Sequence, residues 1–164
     1  MHSAVSDWVK YNIGHVGADT RILEVGSANV NGGVCDLFSP RQYTGIDHQP
    51  GDGVDIVLSS HELTGLFDPD SFDLVLCLEM LEHDPNPFLT LQQIAEVLAP
   101  DGVAIITARA NGFPLHNEPD LWRFMEDGMR ALIEQAGLIV GDLQPDLQVP
   151  GWFAVAVKPG VVHG

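Results

Sequence analysis

Apolar positions along the chain recur in two rhythms that alternate. Phe72–Leu78 (FDLVLCL) is a nearly continuous apolar run, as expected of a strand buried on both faces. Arg21–Gly26, Tyr43–Asp47, Val54–Leu58, Val103–Ala108, Leu138–Leu143 and Trp152–Val157 read as six further strands. Between them the spacing changes to that of helices. Leu91, Ile94, Ala95 and Leu98 recur at intervals of 3, 4 and 7, behind Asn86 as N-cap and Pro87 as first helical residue. Pro100-Asp101-Gly102 stops this helix. Met125, Met129, Leu132, Ile133 and Ala136 mark another, with Gly137 suited to its C′ position and no obvious N-cap. A Gly/Asn-rich turn and a helix near Gly33–Ser39 follow the first strand. Gln49–Gly53 is a turn by its Pro and Gly content, and it leaves no room for a full helix between the second and third strands. The eleven residues Gly141–Gly151 lack a helical pattern, so the last two strands form a hairpin and the final strand runs antiparallel. The alternation predicts a single α/β domain over 1–164, Rossmann-like, with a doubly wound sheet of seven strands and helices on both faces.

Composition narrows the partners. The 164 residues suit one domain, and 45% apolar with 18% charged residues is a globular balance. Acidic residues number 23 against 7 Lys and Arg, a net charge of −16. The few cations are scattered, which argues against nucleic acid and against an anionic membrane surface. No apolar run reaches the roughly 18–20 residues of a membrane span. The segment MHSAVSDWVK has no basic stretch followed by an apolar core, so no secretory signal is expected. Cys35 and Cys77 have neither disulfide-scaffold density nor metal-type spacing, and a reducing cytoplasm is the expected setting. Cys77, inside a buried strand, reads as a small apolar core residue.

In sheets of this kind ligands bind beyond the C-terminal strand ends, at the switch point. The first strand runs out there into Glu24-Val25-Gly26-Ser27-Ala28-Asn29-Val30-Asn31-Gly32-Gly33, where small residues allow close backbone approach. Asp47 ends the next strand, 21 residues after Gly26, where a carboxylate can accept from both hydroxyls of a ribose. This is a nucleoside-cofactor arrangement. It is not the dinucleotide fingerprint, since Ala28 stands at the second glycine position, and no residues remain for the substrate domain of a nicotinamide-dependent dehydrogenase.

From about Arg21 to Lys158 the chain resembles the class I S-adenosylmethionine-dependent methyltransferases, close to the small type 11 group. RILEVGSANVNGG resembles the first motif, YTGID the second, SFDLVLCLEMLEH the fourth and VLAPDGVAIITA the stretch into the fifth strand; HNEPDLWRF resembles the segment after it. The resemblance implies a strand order 3-2-1-4-5-7-6 with strand seven antiparallel. It implies S-adenosylmethionine as cofactor, with Glu24, Gly26 and Ser27 on its methionine and ribose side. Asp47 would hold the ribose hydroxyls and His48 would lie near the adenine. Ser59, Ser60 and His61 would occupy the loop near the adenine amine, and Leu78 and Glu79 would face the sulfonium. There are two departures: Ala28 replaces a glycine, and Ser59 replaces a common adenine-contacting aspartate.

Glu79-Met80-Leu81-Glu82-His83 follows the fourth strand directly. If it is a helical turn, Glu79, Glu82 and His83 share one face. They then offer three alternatives. Glu82 and His83 can serve as a general base, the imidazole oriented by a carboxylate. Glu79, Glu82 and His83, with His116 as fourth ligand, can hold a divalent cation such as Mg²⁺. Or Glu82 and His83 merely cap and pack a helix start. Similar Glu-x-x-Glu-His segments in ubiquinone-pathway O-methyltransferases and small-RNA 2′-O-methyltransferases resemble a metal site. Trp122-Arg123 can line an acceptor pocket, or Trp122 can pack on the sheet while Arg123 pairs with a carboxylate.

The expected activity is methyl transfer to a small-molecule acceptor, with an oxygen nucleophile on a small molecule or sugar preferred. The alternative is a non-catalytic binding subunit on the same scaffold. The short chain leaves little for a lid, so either the acceptor pocket is open or a second copy or partner subunit covers it.

Overall fold

All four residues of β1 (Ile22–Val25) are buried, because strands flank β1 on both sides and helices cover the sheet. The computed structural model describes residues 3–14, 16–29, 32–39, 42–115 and 119–160. Along them run α1 (Ser3–Asn12), β1, β2 (Tyr43–Asp47), β3 (Ile56–Val57), α2 (Leu63–Leu66) and β4 (Phe72–Leu78). Then come α3 (Pro87–Val97), β5 (Leu98–Arg109), α4 (Glu126–Gln135), β6 (Ile139–Pro145) and β7 (Gly151–Val157). The seven strands form one sheet in the order β3-β2-β1-β4-β5-β7-β6. β1 to β5 are parallel, and β7 is antiparallel to both β5 and β6. The sheet is therefore doubly wound as expected, and the terminal hairpin is present.

Period-two side chains send alternate β4 residues to opposite layers. Val75 and Cys77 pack with Leu91, Ile94, Met129, Leu132 and Ile133 under α3 and α4. Leu74, Leu76 and Leu78 pack on the other face with Val5 and Val9 of α1, Val34 and Phe153. Cys77 is a fully buried core residue, and its burial pushes the thiol pKa up.

α3 begins as its sequence dictates, with the Asn86 side chain accepting from Leu89 N–H and Pro87 in the first turn. α4 is capped by Met125 without a side-chain hydrogen bond, and Glu126 and Asp127 favour its N-terminal dipole instead. Gly137 has φ +84°, the left-handed conformation that ends the helix.

Several boundaries differ from expectation. Leu98 is not on the helix but is its C-cap, with extended ψ of 132°, and it opens β5 opposite Phe72. The helix near Gly33–Ser39 is only a 3-10 turn at Cys35–Leu37, and β3 is two residues long. α1 and the one-turn α2 were not anticipated. No helix among the described residues is long and apolar enough to cross a membrane.

Candidate active site

The C-terminal ends of β1, β2 and β4 open into a cavity of about 940 Å³. That is the size of a small-molecule or cofactor site. Every residue proposed from sequence as a cofactor contact lines it: Glu24, Gly26, Ser27, Asp47, His48, Ser59, Ser60, His61, Leu78 and Glu79. Glu82 and His83 line it too. His116 lies outside the described residues.

The glycine loop is built for close backbone approach. Gly26 has φ +81°, and a Cβ there would stand 2.7 Å from Met80 Cγ. The N–H groups of Gly26 and Ser27 both donate to Ile46 O, at 2.9 Å, which ties the loop to β2. Asp47 is held in the same corner. Its Oδ2 accepts from Ala28 N–H at 3.3 Å and its Oδ1 from Gln49 N–H at 3.0 Å. A carboxylate fixed by two backbone donors keeps lone pairs for a ribose diol. Ser27 Oγ is buried with no hydrogen-bond partner among the described residues. It packs toward Gly45 of β2, where a Cβ would stand 2.7 Å from it, so the loop lies close on that strand. His48 Nδ1 lies 3.0 Å from Asp47 Oδ1, with most of its ring exposed.

Glu24 is 4% exposed, and the Tyr43 hydroxyl donates to its Oε2. Burial raises the Glu24 pKa from 4.5 to about 7, against the pull of the Tyr43 bond.

After β3, the Ser59–His61 loop is anchored across the cavity by Asp84. His61 Nε2 is 2.6 Å from Asp84 Oδ1, and Asn86 N–H donates to the same oxygen at 2.8 Å. Thr90 Oγ1 contacts Asp84 Oδ2, and Ser60 Oγ lies 2.8 Å from Thr90 Oγ1. Trp122 Nε1–H donates to the Asp84 carbonyl at 2.7 Å. Trp122 thus closes over this turn, half exposed, while Arg123 pairs with Asp120.

The Glu-x-x-Glu-His segment does not form the helical face expected of it. Glu79 takes φ +53°, with its N–H bonded to Thr107 O at 3.0 Å, and the next turn is a 3-10 turn at Leu81–His83. The three side chains have different surroundings, though all three residues line the cavity. Glu79 pairs with Arg109, whose Nη1 is 3.3 Å from Asp146 Oδ2 and whose guanidinium lies 4.5 Å above the Phe113 ring. Burial lowers the Arg109 pKa. Glu82 is 2% exposed, and its Oε2 has no hydrogen-bond partner among the described residues. Burial raises its pKa to about 7, opposed by its own backbone N–H and the Arg123 charge. His83 Nδ1 donates to Pro119 O at 2.7 Å. A carbonyl only accepts, so the neutral ring carries its lone pair on Nε2. The Pro119 carbonyl thus orients the imidazole through Nδ1. Among the described residues no three His, Cys, Asp or Glu side chains are gathered to hold a metal ion, so Glu79, Glu82 and His83 are not brought together as a ligand set.

The methyltransferase domain family matches residues 1–137. The chain belongs to that family. This methyltransferase domain is 31% identical over 123 residues to a ubiquinone biosynthesis O-methyltransferase of Azoarcus sp. (strain BH72), covering 65% of this chain and 51% of that protein. It is 28% identical over 131 residues to a fatty-acid O-methyltransferase of Mycolicibacterium smegmatis, covering 72% of this chain and 46% of the relative. The matches thus span about half the length of these curated relatives. Among solved structures it resembles the 1,6-didemethyltoxoflavin-N1-methyltransferase of Burkholderia thailandensis, which binds 1,6-didemethyltoxoflavin and S-adenosylhomocysteine. The TM-score is 0.76 at 19% identity, covering 96% of this chain and 79% of that one. The sheet order and antiparallel last strand are those of the class I S-adenosylmethionine-dependent fold.

Sequence reasoning missed Tyr43, Asp84 and Arg109 as parts of the site. Arg109 gave one available signal, a lone cation at the end of a buried strand, which requires a counter-charge.

Proposed function

We propose that residues 1–164 act as one methyltransferase domain that transfers a methyl group from S-adenosylmethionine to an oxygen nucleophile on a small molecule. One observation carries the reading: a single cavity joins the glycine loop and Asp47 to the Glu82–His83 turn. Gly26, Ser27 and Asp47 would hold the cofactor, with Glu24 beneath its methionine side and Ser59–His61 at the base. When bound, the cofactor supplies an electrophilic methyl group on a sulfonium. The chain's own residues then have two tasks. The first is to fix the acceptor in line with that methyl group, which Leu78, Glu79 and Phe113 delimit. The second is to take the proton from the acceptor hydroxyl. His83 Nε2 is the base, held in tautomer and orientation by Pro119, and the buried Glu82 carboxylate stabilises the positive charge that develops on the ring. A divalent cation such as Mg²⁺ is the other means of masking that proton. The engagement of Glu79 by Arg109 favours the base.

The test uses methyl-labelled S-adenosylmethionine with a panel of small alcohols, phenols, sugars, amines and carboxylic acids, the product identified by mass. Label on a hydroxyl oxygen, with the rate cut roughly 100-fold or more by His83→Ala, is expected. Label on nitrogen or carbon, or an undiminished rate in His83→Ala, contradicts the reading.

A further inference from the structure

Arg109 is the one lysine or arginine among the described residues that line the cavity, and its charge is already compensated. Its guanidinium, 3% exposed, is held by Glu79 on the cavity wall and by Asp146 of the terminal hairpin. We propose that Glu79, by cancelling Arg109, makes the acceptor end of the cavity a cation-selecting site, and that the acceptor is a hydroxyl compound bearing an ammonium group, such as an amino alcohol or an amino sugar. Glu79 is then the specificity-determining residue. The inference deepens the oxygen-methylation reading given above and rests on it.

Charge decides the class of acceptor. Beyond β4 the wall carries Glu79, Glu82 and Asp84, and Asp146 stands behind Arg109, so four carboxylates face one fixed cation. Arg123 does not redress this, because its guanidinium is paired with Asp120. Glu82 is ionised above about pH 7. Its Oε2 has no hydrogen-bond partner among the described residues, so its charge is not compensated as that of Glu79 is. The sulfonium of a bound cofactor adds a single positive charge. Even if His61, 2.6 Å from Asp84, carries a proton as well, the balance at this end stays negative. A carboxylate or phosphate on the acceptor would meet like charge with no guanidinium left to receive it, and would be refused. An ammonium meets opposite charge and supplies donors to oxygens that only accept. The net charge of −16 on the whole chain draws cations toward the cavity in the same sense.

The same carboxylates decide which group on the acceptor reacts. An ammonium beside them keeps its proton and has no lone pair, so the hydroxyl is the nucleophile. The hydroxyl oxygen forms a bond to the methyl carbon as the bond from that carbon to sulfur breaks. The hydroxyl proton passes to His83 Nε2, and the products are a methyl ether and S-adenosylhomocysteine.

The test gives the full chain three forms of one hydroxyl frame: tyramine with an ammonium, ethylphenol without charge and hydroxyphenylpropanoate with a carboxylate. Glucosamine, glucose and glucuronate form a second set. Methyl-labelled S-adenosylmethionine at pH 8 reports kcat/KM for each, and the labelled atom is identified by mass. The ammonium member should lead the neutral one by about tenfold and the carboxylate one by about 100-fold. Ratios between members cancel any effect on cofactor binding. Glu79→Gln leaves Arg109 opposite an uncharged amide, so the ammonium-to-carboxylate ratio should fall about tenfold or more. If Glu79→Gln loses the fold, Glu82→Gln removes the other carboxylate at this end and should narrow the ammonium-to-neutral ratio. A carboxylate member used as well as the ammonium one, or ratios that neither variant moves, overturns the proposal. Label on nitrogen, or no methylation of any member by wild type that binds S-adenosylhomocysteine, overturns instead the oxygen reading on which it rests.

Discussion

The Tyr43 hydroxyl of β2 donates to the Glu24 carboxylate of β1, beneath the glycine loop. The two strands are in register there, with Glu24 opposite Gly45 and Ile22 opposite Tyr43. The bond gives a buried acid one donor but does not offset its burial, and the Glu24 pKa remains raised to about 7.

That shift has a definite sign. The folded-state pKa lies above the ordinary 4.5, so the folded protein holds the proton to higher pH. Stability from this group is complete below about pH 4.5 and is lost as pH rises toward 7. The loss is on the order of 3 kcal/mol. Glu24→Gln, which keeps an oxygen for Tyr43, should be more stable than wild type at pH 8 and no more stable at pH 4.5. Urea unfolding at the two pH values measures this. A variant less stable than wild type at pH 8 would refute the assignment.

Glu82 titrates in the same range, with its pKa raised to about 7 by burial. Its ionised form supports the imidazolium, so turnover should climb as pH rises through about 7 and then level. Glu82→Gln should lower the plateau and shift the limb, because the His83 base must still be unprotonated to act. A limb that neither moves nor loses height in the variant would show that Glu82 does not act on the base.

Arg109 couples β5 to both the site and the terminal hairpin. Its guanidinium is buried between Glu79 and Asp146, and Asp146 also accepts from Gln148 N–H at 2.8 Å in the β6–β7 turn. Asp146→Ala leaves the buried cation with less compensation and should cost about 3–5 kcal/mol by denaturant unfolding. A cost under roughly 1 kcal/mol would mean that water or Glu79 carries the charge.

Much of this architecture is legible in residue order. The apolar run Phe72–Leu78, the Asn86-Pro87 start of α3 and the non-helical stretch before β7 each follow from local rules, and each is found. The glycine loop and Asp47 are equally local, since strand ends and spacing determine them. What escaped is long-range. Spacing alone suggested that Glu79, Glu82 and His83 share a helical face. Glu79 instead adopts a left-handed conformation because its N–H is claimed by Thr107 on β5, and its carboxylate by Arg109, 30 residues on. Asp84 carries no local signal, because its partners His61 and Trp122 are distant in sequence. α1 has its buried Val5 and Val9 one helical turn apart, yet its ten residues form a helix on the strength of packing against Phe153 and the β4 face.

Gly26 should tolerate no side chain. Gly26→Ala places a Cβ 2.7 Å from Met80 Cγ on a backbone with φ +81°, where alanine is strained. A cost of about 1–3 kcal/mol is expected, with ligand affinity falling as well. Thermal unfolding with and without S-adenosylhomocysteine separates the two effects, and an unaltered response to ligand would show that the loop is not part of the site.

The most direct test of the central claim is calorimetric titration of the chain with S-adenosylhomocysteine, beside Asp47→Ala. Binding near the micromolar range, weakened about 100-fold or more by the substitution in a protein that still unfolds cooperatively, is the predicted result. No binding by folded wild type at millimolar ligand, or equal binding by Asp47→Ala, would contradict it.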